Sequence, residues 1–374
     1  MSDTPRSRLA AIAARGQSVW LDLLSRDLVR SGALERLIDE DAVTGLTSNP
    51  SIFQKAIAEG IGYEEQVVSL LAQGKDARSV FFALAVEDVR AACDMFLPIW
   101  ESTDGMDGWV SLEVDPGIAD DAAATLSQAD ALHRELFRPN AYIKIPATRE
   151  GIEAFEECTA EGIPVNVTLI FSQERYEQVV AAYLRGLVRR DYSGGDLSTV
   201  SSVASFFVSR LDTAADAILD KKGTSALRGK LGVASARRAY AHFRQSFSGQ
   251  VWDDLASRGA RVQRPLWAST STKDPAYGDV MYVEELIGPQ TVNTMPLETL
   301  EKFRDHGEVR GDTILEEADA AQRLVAQLGP AGVDYERVVA KLENEGIHQF
   351  QTAFDALLAG IEARRPAPIP VESA

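Results

Sequence analysis

Short runs rich in β-branched and aromatic residues alternate with longer segments of helical period along the whole chain. This alternation is typical of a parallel α/β fold, because parallel strands are joined by a crossover, usually a helix. We count eight such runs, which is the number of strands that closes an α/β barrel. They cover residues 19–23, 43–47, 109–114, 142–146, 165–170, 200–208, 265–269 and 291–294. The sequence therefore predicts an α/β fold built on an eight-stranded parallel (β/α)8 barrel.

Three helical segments are additional to the repeating strand and helix units. The first lies in residues 1–17, the second is an insertion between residues 51 and 100, after the second strand, and the third covers residues 335–363. No proline- or serine-rich linker divides the chain, so we predict a single barrel domain over residues 1–374. Residues 364–374 carry prolines and no core residues, and we expect them to form a flexible tail.

Composition excludes several classes of protein. The chain has 374 residues, 45% of them hydrophobic, and a formal net charge of −18 without a stripe of lysine and arginine, which argues against a nucleic-acid partner. It has no apolar run of membrane-spanning length and no signal-peptide core. The two cysteines, Cys93 and Cys158, lie in helix-like stretches and indicate free thiols in a reducing compartment. We therefore expect a cytoplasmic protein with no membrane partner.

Lys144 lies in the middle of the predicted fourth strand, in the apolar run Ala141–Pro146. A lysine normally avoids such surroundings, since burial can lower a lysine pKa from about 10.4 by several units. A desolvated amine is useful as a nucleophile that attacks a carbonyl to form a Schiff base. The alternative is a lysine at a strand end whose stem packs while its ammonium group reaches water. The loop and helix that follow favour the first interpretation, because catalytic side chains gather at the carboxyl ends of barrel strands.

Polar side chains recur near the ends of several other predicted strands. Each one alone is compatible with a satisfied core group or a helix cap, but together they predict a polar pocket at one mouth of the barrel. They are Asp22, Asn49, Glu113, Asn166, Thr168 and Ser205. A Schiff-base carbon–carbon lyase needs an amine, an acid that protonates departing water, and a base for the substrate hydroxyl. Lys144, Glu113 and Asp22 supply these three groups.

Other catalytic motifs find little support. The histidines at positions 133, 242, 306 and 348 lack metal-ligand spacing. The chain contains no GxGxxG after a strand, no GxxxxGK[ST] and no GxSxG. We therefore predict neither a metal nor an organic cofactor.

Three blocks of sequence lie at the predicted strands and the segments that follow them. The first is the stretch GLTSNPSIF at residues 45–53, and the second is IKIPAT around Lys144, followed by Glu150, Gly151 and Ile152. The third block is NVTLIFS at residues 166–172. Together they resemble the transaldolase family, whose first signature contains T-[ST]-N-P-S. The resemblance covers the chain from about Val19 to Asn293. It implies a TIM barrel with the Schiff-base lysine on the fourth strand, which agrees with our strand count.

The resemblance also implies a role for each matching residue. Lys144 would form the Schiff base, Asp22 would act as the base for carbon–carbon cleavage, and Glu113 with Thr168 would relay protons through a water molecule. Four further positions match substrate-binding residues of the family: Asn49, Asn166, Ser205 and the phosphate-binding Arg210.

The sequence departs from the family pattern at three places. Thr44 stands where the first signature usually has Asp, and Asp22 is followed by Leu-Leu-Ser-Arg instead of Thr-Gly. After the seventh strand the family often shows Ser-Phe-Arg, whereas Ser269 here is followed by Thr-Ser-Thr-Lys. We predict that Ser269 binds substrate and that Lys273 replaces the missing arginine. The alternative is that Lys273 is an ordinary exposed loop residue.

The resemblance implies an enzyme that transfers a dihydroxyacetone unit from sedoheptulose 7-phosphate or fructose 6-phosphate to glyceraldehyde 3-phosphate or erythrose 4-phosphate, in the pentose phosphate pathway. Its partners would be sugar phosphates, and a homodimer is compatible with the sequence. Two alternatives stay open. One is a Schiff-base aldolase of the fructose 6-phosphate type, and the other is a barrel that binds sugar phosphates without catalysis.

Overall fold

The computed structural model describes residues 7–316 and 318–365. Eight parallel strands close a barrel in chain order, with the first strand paired to both the second and the eighth. The strands are β1 (Gln17–Asp22), β2 (Val43–Thr47), β3 (Val110–Glu113), β4 (Ala141–Pro146), β5 (Val165–Ile170), β6 (Ser202–Phe207), β7 (Arg264–Ala268) and β8 (Thr291–Met295). The predicted TIM barrel is confirmed, and each strand end lies within two residues of its predicted position.

Sixteen α-helices lie within the described ranges, and they include the three predicted additions. They are α1 (Arg8–Ala13), α2 (Arg26–Arg30), α3 (Ala33–Asp41), α4 (Pro50–Glu59), α5 (Glu64–Ala72), α6 (Ala77–Ser102), α7 (Ala122–Leu136), α8 (Arg149–Glu161), α9 (Gln173–Tyr192), α10 (Ser209–Lys222), α11 (Leu231–Ser246), α12 (Gln250–Ser257), α13 (Met281–Glu284), α14 (Leu297–His306), α15 (Ala318–Leu328) and α16 (Tyr335–Glu362). Within these described segments, no helix is both long and apolar enough to cross a membrane.

The terminal predictions are only partly covered by the structure. The amino-terminal helix ends at Ala13, earlier than expected, because Gly16 with φ 79° turns the chain into β1. Residues 1–6 of that predicted helix, and residues 366–374 of the predicted tail, lie outside the described residues.

Side chains directly after the strands fix the start of the next helix. Asn49 follows β2 and caps α4, its Oδ1 accepting from the Ile52 N–H at 3.1 Å, and Pro50 occupies the first helical position. Thr148 caps α8 after β4, and Ser172 caps α9 after β5. All three sequence blocks therefore run from a strand to a capping residue, and the first block also contains the first turn of the helix.

Aromatic side chains fill the amino-terminal half of the barrel. The rings of Trp109 and Tyr142 stack with centroids 4.1 Å apart, and Trp20 lies 6.2 Å from Tyr142. The indole N–H of Trp20 donates to Asp107 Oδ1 at 2.8 Å. Gly45 on β2 is the register partner of Trp20 on β1. It has no room for a side chain, because a Cβ there would lie 2.7 Å from the indole. This packing closes the amino-terminal half, while a polar cavity lies at the carboxyl ends of the strands.

The carboxyl-terminal helix α16 packs across the carboxyl-terminal mouth of the barrel. Phe354 on α16 packs edge-on against Phe81 of α6 at 5.3 Å, and Phe81 in turn contacts Phe53 of α4 at 5.4 Å. The insertion after β2 and the carboxyl-terminal helix therefore support each other above the barrel.

Candidate active site

A cavity of about 170 Å³ lies at the carboxyl ends of the barrel strands. Its walls come from seven of the eight strands or the loops that follow them, and from α16. The lining residues are Asp22, Thr47, Asn49, Lys144, Thr168, Ser205, Phe207, Arg210, Ala268, Ser269, Ser271, Lys273, Thr294, Pro296 and Phe350. Eight of the ten residues predicted from sequence line this cavity, and the other two, Glu113 and Asn166, are buried against its walls.

Lys144 is buried, with 4% of its surface exposed, and its ammonium group is held from two sides. Its Nζ donates to Glu113 Oε2 and to the backbone carbonyl of Ser48, each at 3.0 Å. Glu113 and Lys144 are register partners on β3 and β4, so the strand pairing itself brings the amine and the carboxyl together. The ring of Phe350 lies on the cavity side, with its centroid 5.4 Å from Nζ.

Burial raises the pKa of Glu113 to about 7, while Lys144 works in the opposite direction and Asp22 adds to the increase. A carboxyl with that pKa exchanges its proton near neutral pH, which suits a group that acts as both acid and base. Because it contacts the amine directly, Glu113 can accept a proton from Lys144 and return it to a leaving group.

Asp22, at the end of β1, lies on another wall of the same cavity. Thr47 Oγ1 donates to Asp22 Oδ1 at 2.6 Å. Burial raises the pKa of this carboxyl, whereas Lys144, Thr47 and Arg210 lower it. Two carboxyl groups in different hydrogen-bond environments therefore lie near one amine, an arrangement that can separate their roles in proton transfer.

A chain of polar side chains crosses from β3 to β6 behind the lysine. Asn166 Nδ2 donates to Ser111 Oγ at 3.1 Å, and Ser205 Oγ donates to Asn166 Oδ1 at 2.7 Å. Thr168 Oγ1 is buried at the cavity wall and has no hydrogen-bond partner among the described residues. An unpaired hydroxyl in this position is suited to hold a water molecule or a substrate hydroxyl.

Two cations line the cavity close to each other. Arg210 Nη1 donates to Gln349 Oε1 on α16 at 3.0 Å, and the guanidinium lies 5.2 Å from the ring centroid of Phe207. Lys273 Nζ donates to Ser271 Oγ at 2.7 Å. Burial lowers the pKa of both groups, and the charge of Arg210 lowers that of Lys273 further. This arrangement favours a bound dianion, which would relieve the repulsion between the two cations.

Ser269 connects the loop after β7 to the start of α10. It adopts a left-handed conformation with φ 54°, and its hydroxyl lies 3.0 Å from that of Ser209. Its carbonyl accepts from the Ser209 N–H at 3.0 Å. The loop that carries Lys273 is therefore anchored to the helix that carries Arg210.

In residues 7–316 and 318–365, no group of three or more histidine, cysteine, aspartate and glutamate side chains is arranged to hold a metal ion. A family model described as transaldolase/fructose-6-phosphate aldolase matches residues 19–361 of the chain.

The chain belongs to the transaldolase/fructose-6-phosphate aldolase family. A transaldolase of Mycobacterium tuberculosis (strain ATCC 25618 / H37Rv) is 50% identical over 354 residues, which cover 94% of this chain and 95% of the relative. A transaldolase of Acidothermus cellulolyticus is 49% identical over 355 residues, with the same two coverages. A transaldolase of Mycobacterium ulcerans is 48% identical over 366 residues, 97% of this chain and 98% of the relative. The family resemblance found in the sequence is thereby confirmed.

Several cavity residues of this family member were not predicted from its sequence. Thr47 precedes Asn49 in the first family signature, and its place at the strand end was a usable signal. Phe350 lines the cavity, and Gln349 contacts the cavity residue Arg210. Neither carries such a signal, because both lie on a helix far along the chain from the other residues of the site.

Proposed function

We propose that this protein is a transaldolase that transfers a three-carbon dihydroxyacetone unit between sugar phosphates in the pentose phosphate pathway. The observation that carries the proposal is the buried amine of Lys144, 3.0 Å from the Glu113 carboxyl, in a cavity that also contains Asp22 and two cations. Family membership and the three relatives named transaldolase support the same reaction.

The first half of the proposed reaction forms a Schiff base on Lys144. The amine becomes nucleophilic when its proton passes to Glu113, and Nζ then attacks the C2 carbonyl of the ketose phosphate. Glu113 in its acid form protonates the departing hydroxyl, which leaves as water and gives an iminium ion. Thr168 would hold this water, since its hydroxyl has no hydrogen-bond partner among the residues that the structure describes.

Asp22 would carry out the second step. Its carboxylate takes the proton of the C4 hydroxyl, the C3–C4 bond breaks, and the bonding electrons move towards the iminium nitrogen to give an enamine on Lys144. The first aldose phosphate leaves. The enamine carbon C3 then attacks the acceptor aldehyde, whose oxygen takes the proton back from Asp22, and hydrolysis of the new iminium releases the product and the amine.

The remaining predicted residues would bind the substrate. Asn49 and Ser205 line the cavity and would contact substrate hydroxyls, while Asn166 would orient Ser205 through their hydrogen bond. Arg210 and Lys273 would bind the phosphate, and Ser269, which lines the same part of the cavity, would bind substrate beside them.

A fructose 6-phosphate aldolase is the second candidate, because the family description names that activity beside transaldolase. The decisive experiment supplies labelled fructose 6-phosphate with and without erythrose 4-phosphate and measures both sedoheptulose 7-phosphate and free dihydroxyacetone. A transaldolase makes the heptulose and releases little dihydroxyacetone. Rapid release without acceptor would identify an aldolase instead, and no reaction with either mixture would favour a non-catalytic binding barrel.

We also propose a single barrel domain, a cytoplasmic location, sugar phosphates as partners without nucleic acid, and a homodimer. Size-exclusion chromatography with light scattering tests the last of these.

A further inference from the structure

The ring of Phe350 lies near the amine on which the proposed chemistry occurs. Its centroid is 5.4 Å from Lys144 Nζ, and only 6% of the residue is exposed. Phe350 lines the cavity, whereas Glu113 contacts the same amine without lining the cavity. The amine is therefore held by a carboxyl behind it and faces an apolar ring on the side where substrate carbons would lie.

Two neighbouring side chains of α16 hold this ring in position. Glu343, two turns earlier, accepts from Arg175 Nε and Nη2, each at 3.3 Å. Gln349, adjacent to Phe350, accepts from Arg210 at 3.0 Å. A ring carried by a helix with two such tethers remains over the cavity without help from bound substrate.

We propose that Phe350 determines the fate of the three-carbon unit bound to Lys144, by keeping solvent away from its carbons until an acceptor aldehyde enters. The inference rests on the proposed transaldolase function and names the residue that favours transfer over release. It predicts that the apolar surface of the ring, and not only its contribution to folding, controls the product.

The chemistry of release explains why solvent access matters. After the first aldose phosphate leaves, the enamine has two outcomes. In transfer, C3 forms a carbon–carbon bond with the aldehyde, and the aldehyde oxygen takes a proton from Asp22. In release, C3 takes a proton from solvent to give the iminium of dihydroxyacetone, water then adds to C2, and the C2–N bond breaks to return the amine of Lys144. A ring over the lysine on the cavity side hinders proton delivery to C3, whereas Glu113 and Thr168 can still manage the water needed at C2.

The test compares Phe350→Ala, Phe350→Leu and Phe354→Ala in the full chain. The measured quantity is the rate of dihydroxyacetone release from fructose 6-phosphate without acceptor, divided by the rate of transfer to erythrose 4-phosphate. We expect Phe350→Ala to raise this ratio by about tenfold or more, because a closed site suppresses such side reactions. Phe350→Leu retains an apolar cover and should remain near the wild-type ratio.

Phe354→Ala is the matched control for loss of packing. It removes the same ring one turn further along α16, where it contacts Phe81 and Phe82 and does not line the cavity. It should lower the melting temperature and leave the ratio near that of the wild type. If Phe350→Ala does not fold, Phe350→Gln replaces it. Its side chain is of similar length but polar, so it should raise the ratio of release to transfer in the same way.

An unchanged ratio in Phe350→Ala or its replacement, or equal changes in the Phe350 and Phe354 variants, would overturn the inference. Borohydride trapping of donor on Lys144 in the wild type separates this result from failure of the proposed function. Normal trapping and transfer with an unchanged ratio would remove only the role of Phe350. Absent trapping would instead remove the Schiff-base mechanism on which the inference rests.

Discussion

Replacing Lys273 with methionine tests whether the loop after β7 recognises the substrate phosphate. Lys273 lines the cavity with Arg210, and its ammonium group donates to Ser271 Oγ at 2.7 Å. Within the described part of the chain, no carboxylate lies within ion-pair distance of Lys273. Its charge is therefore available to a ligand. Methionine retains most of the volume and removes the charge.

The expected magnitude follows from the charges at this end of the cavity. A sugar phosphate carries nearly two negative charges, so Arg210 alone would leave part of that charge unmatched. A hydrogen bond to a charged group contributes about 1.5–3 kcal/mol, which corresponds to roughly 10- to 150-fold in affinity. Lys273→Met should therefore raise KM for fructose 6-phosphate by that factor and change KM for unphosphorylated fructose much less.

The assay measures kcat and KM for both sugars, with erythrose 4-phosphate as the acceptor. Lys230→Met is the control, because it removes one exposed positive charge outside the cavity and should change neither constant. Equal losses on fructose and fructose 6-phosphate, or no loss on either, would refute the assignment of Lys273 to the phosphate.

Three further predictions concern the carboxyl groups and the barrel packing. Asp22→Asn should still form the imine but lose carbon–carbon cleavage, whereas Glu113→Gln should slow imine formation, and each rate should fall by about 10²- to 10⁴-fold. Near-normal turnover of Asp22→Asn in a steady-state assay would show that another group is the base. Because burial raises the pKa of Glu113 to about 7, donor kcat/KM should rise as the pH increases through about 7, where the Glu113 carboxyl loses its proton and can accept one from Lys144. A pH profile without this inflection in the wild type, or with it retained in Glu113→Gln, would contradict that assignment. Gly45→Ala should destabilise the fold by about 1–3 kcal/mol, because its Cβ would meet the Trp20 indole. Gly360→Ala in α16 is the contrast: its Cβ would meet no atom of the described residues within 4 Å, so it should stabilise the fold by about 0.5–1 kcal/mol, and urea unfolding measures both.

The barrel could be predicted because short stretches of sequence specify each of its strands and the start of the following helix. Each strand is a short apolar run between turn residues, and the helices after β2, β4 and β5 begin at the capping side chains Asn49, Thr148 and Ser172. The same locality placed most of the candidate site, since residues at the ends of parallel strands converge on one mouth. Eight of the ten predicted side chains line a single cavity.

What sequence reasoning missed depends on contacts between distant segments. Phe350 and Gln349 belong to an amphipathic helix whose apolar face predicts burial but not its location. Its position over the barrel is set by the aromatic contact of Phe354 with Phe81 and by the ion pair of Glu343 with Arg175. Such pairings have no periodic signal, because they join segments with no regular spacing along the chain. The pKa of Glu113 was equally hidden, since it depends on burial that only the folded barrel provides.

The central claim is that Lys144 forms a covalent imine with the donor substrate. Incubation with fructose 6-phosphate and borohydride, followed by proteolysis and mass spectrometry, should locate a reduced three-carbon adduct on Lys144. Lys144→Arg should abolish labelling, because guanidinium stays protonated. The cavity offers its own internal control in Lys273, the other lysine that lines it. Label on Lys144 alone would establish the mechanism, whereas label on Lys273, or no label on the wild-type chain, would contradict it.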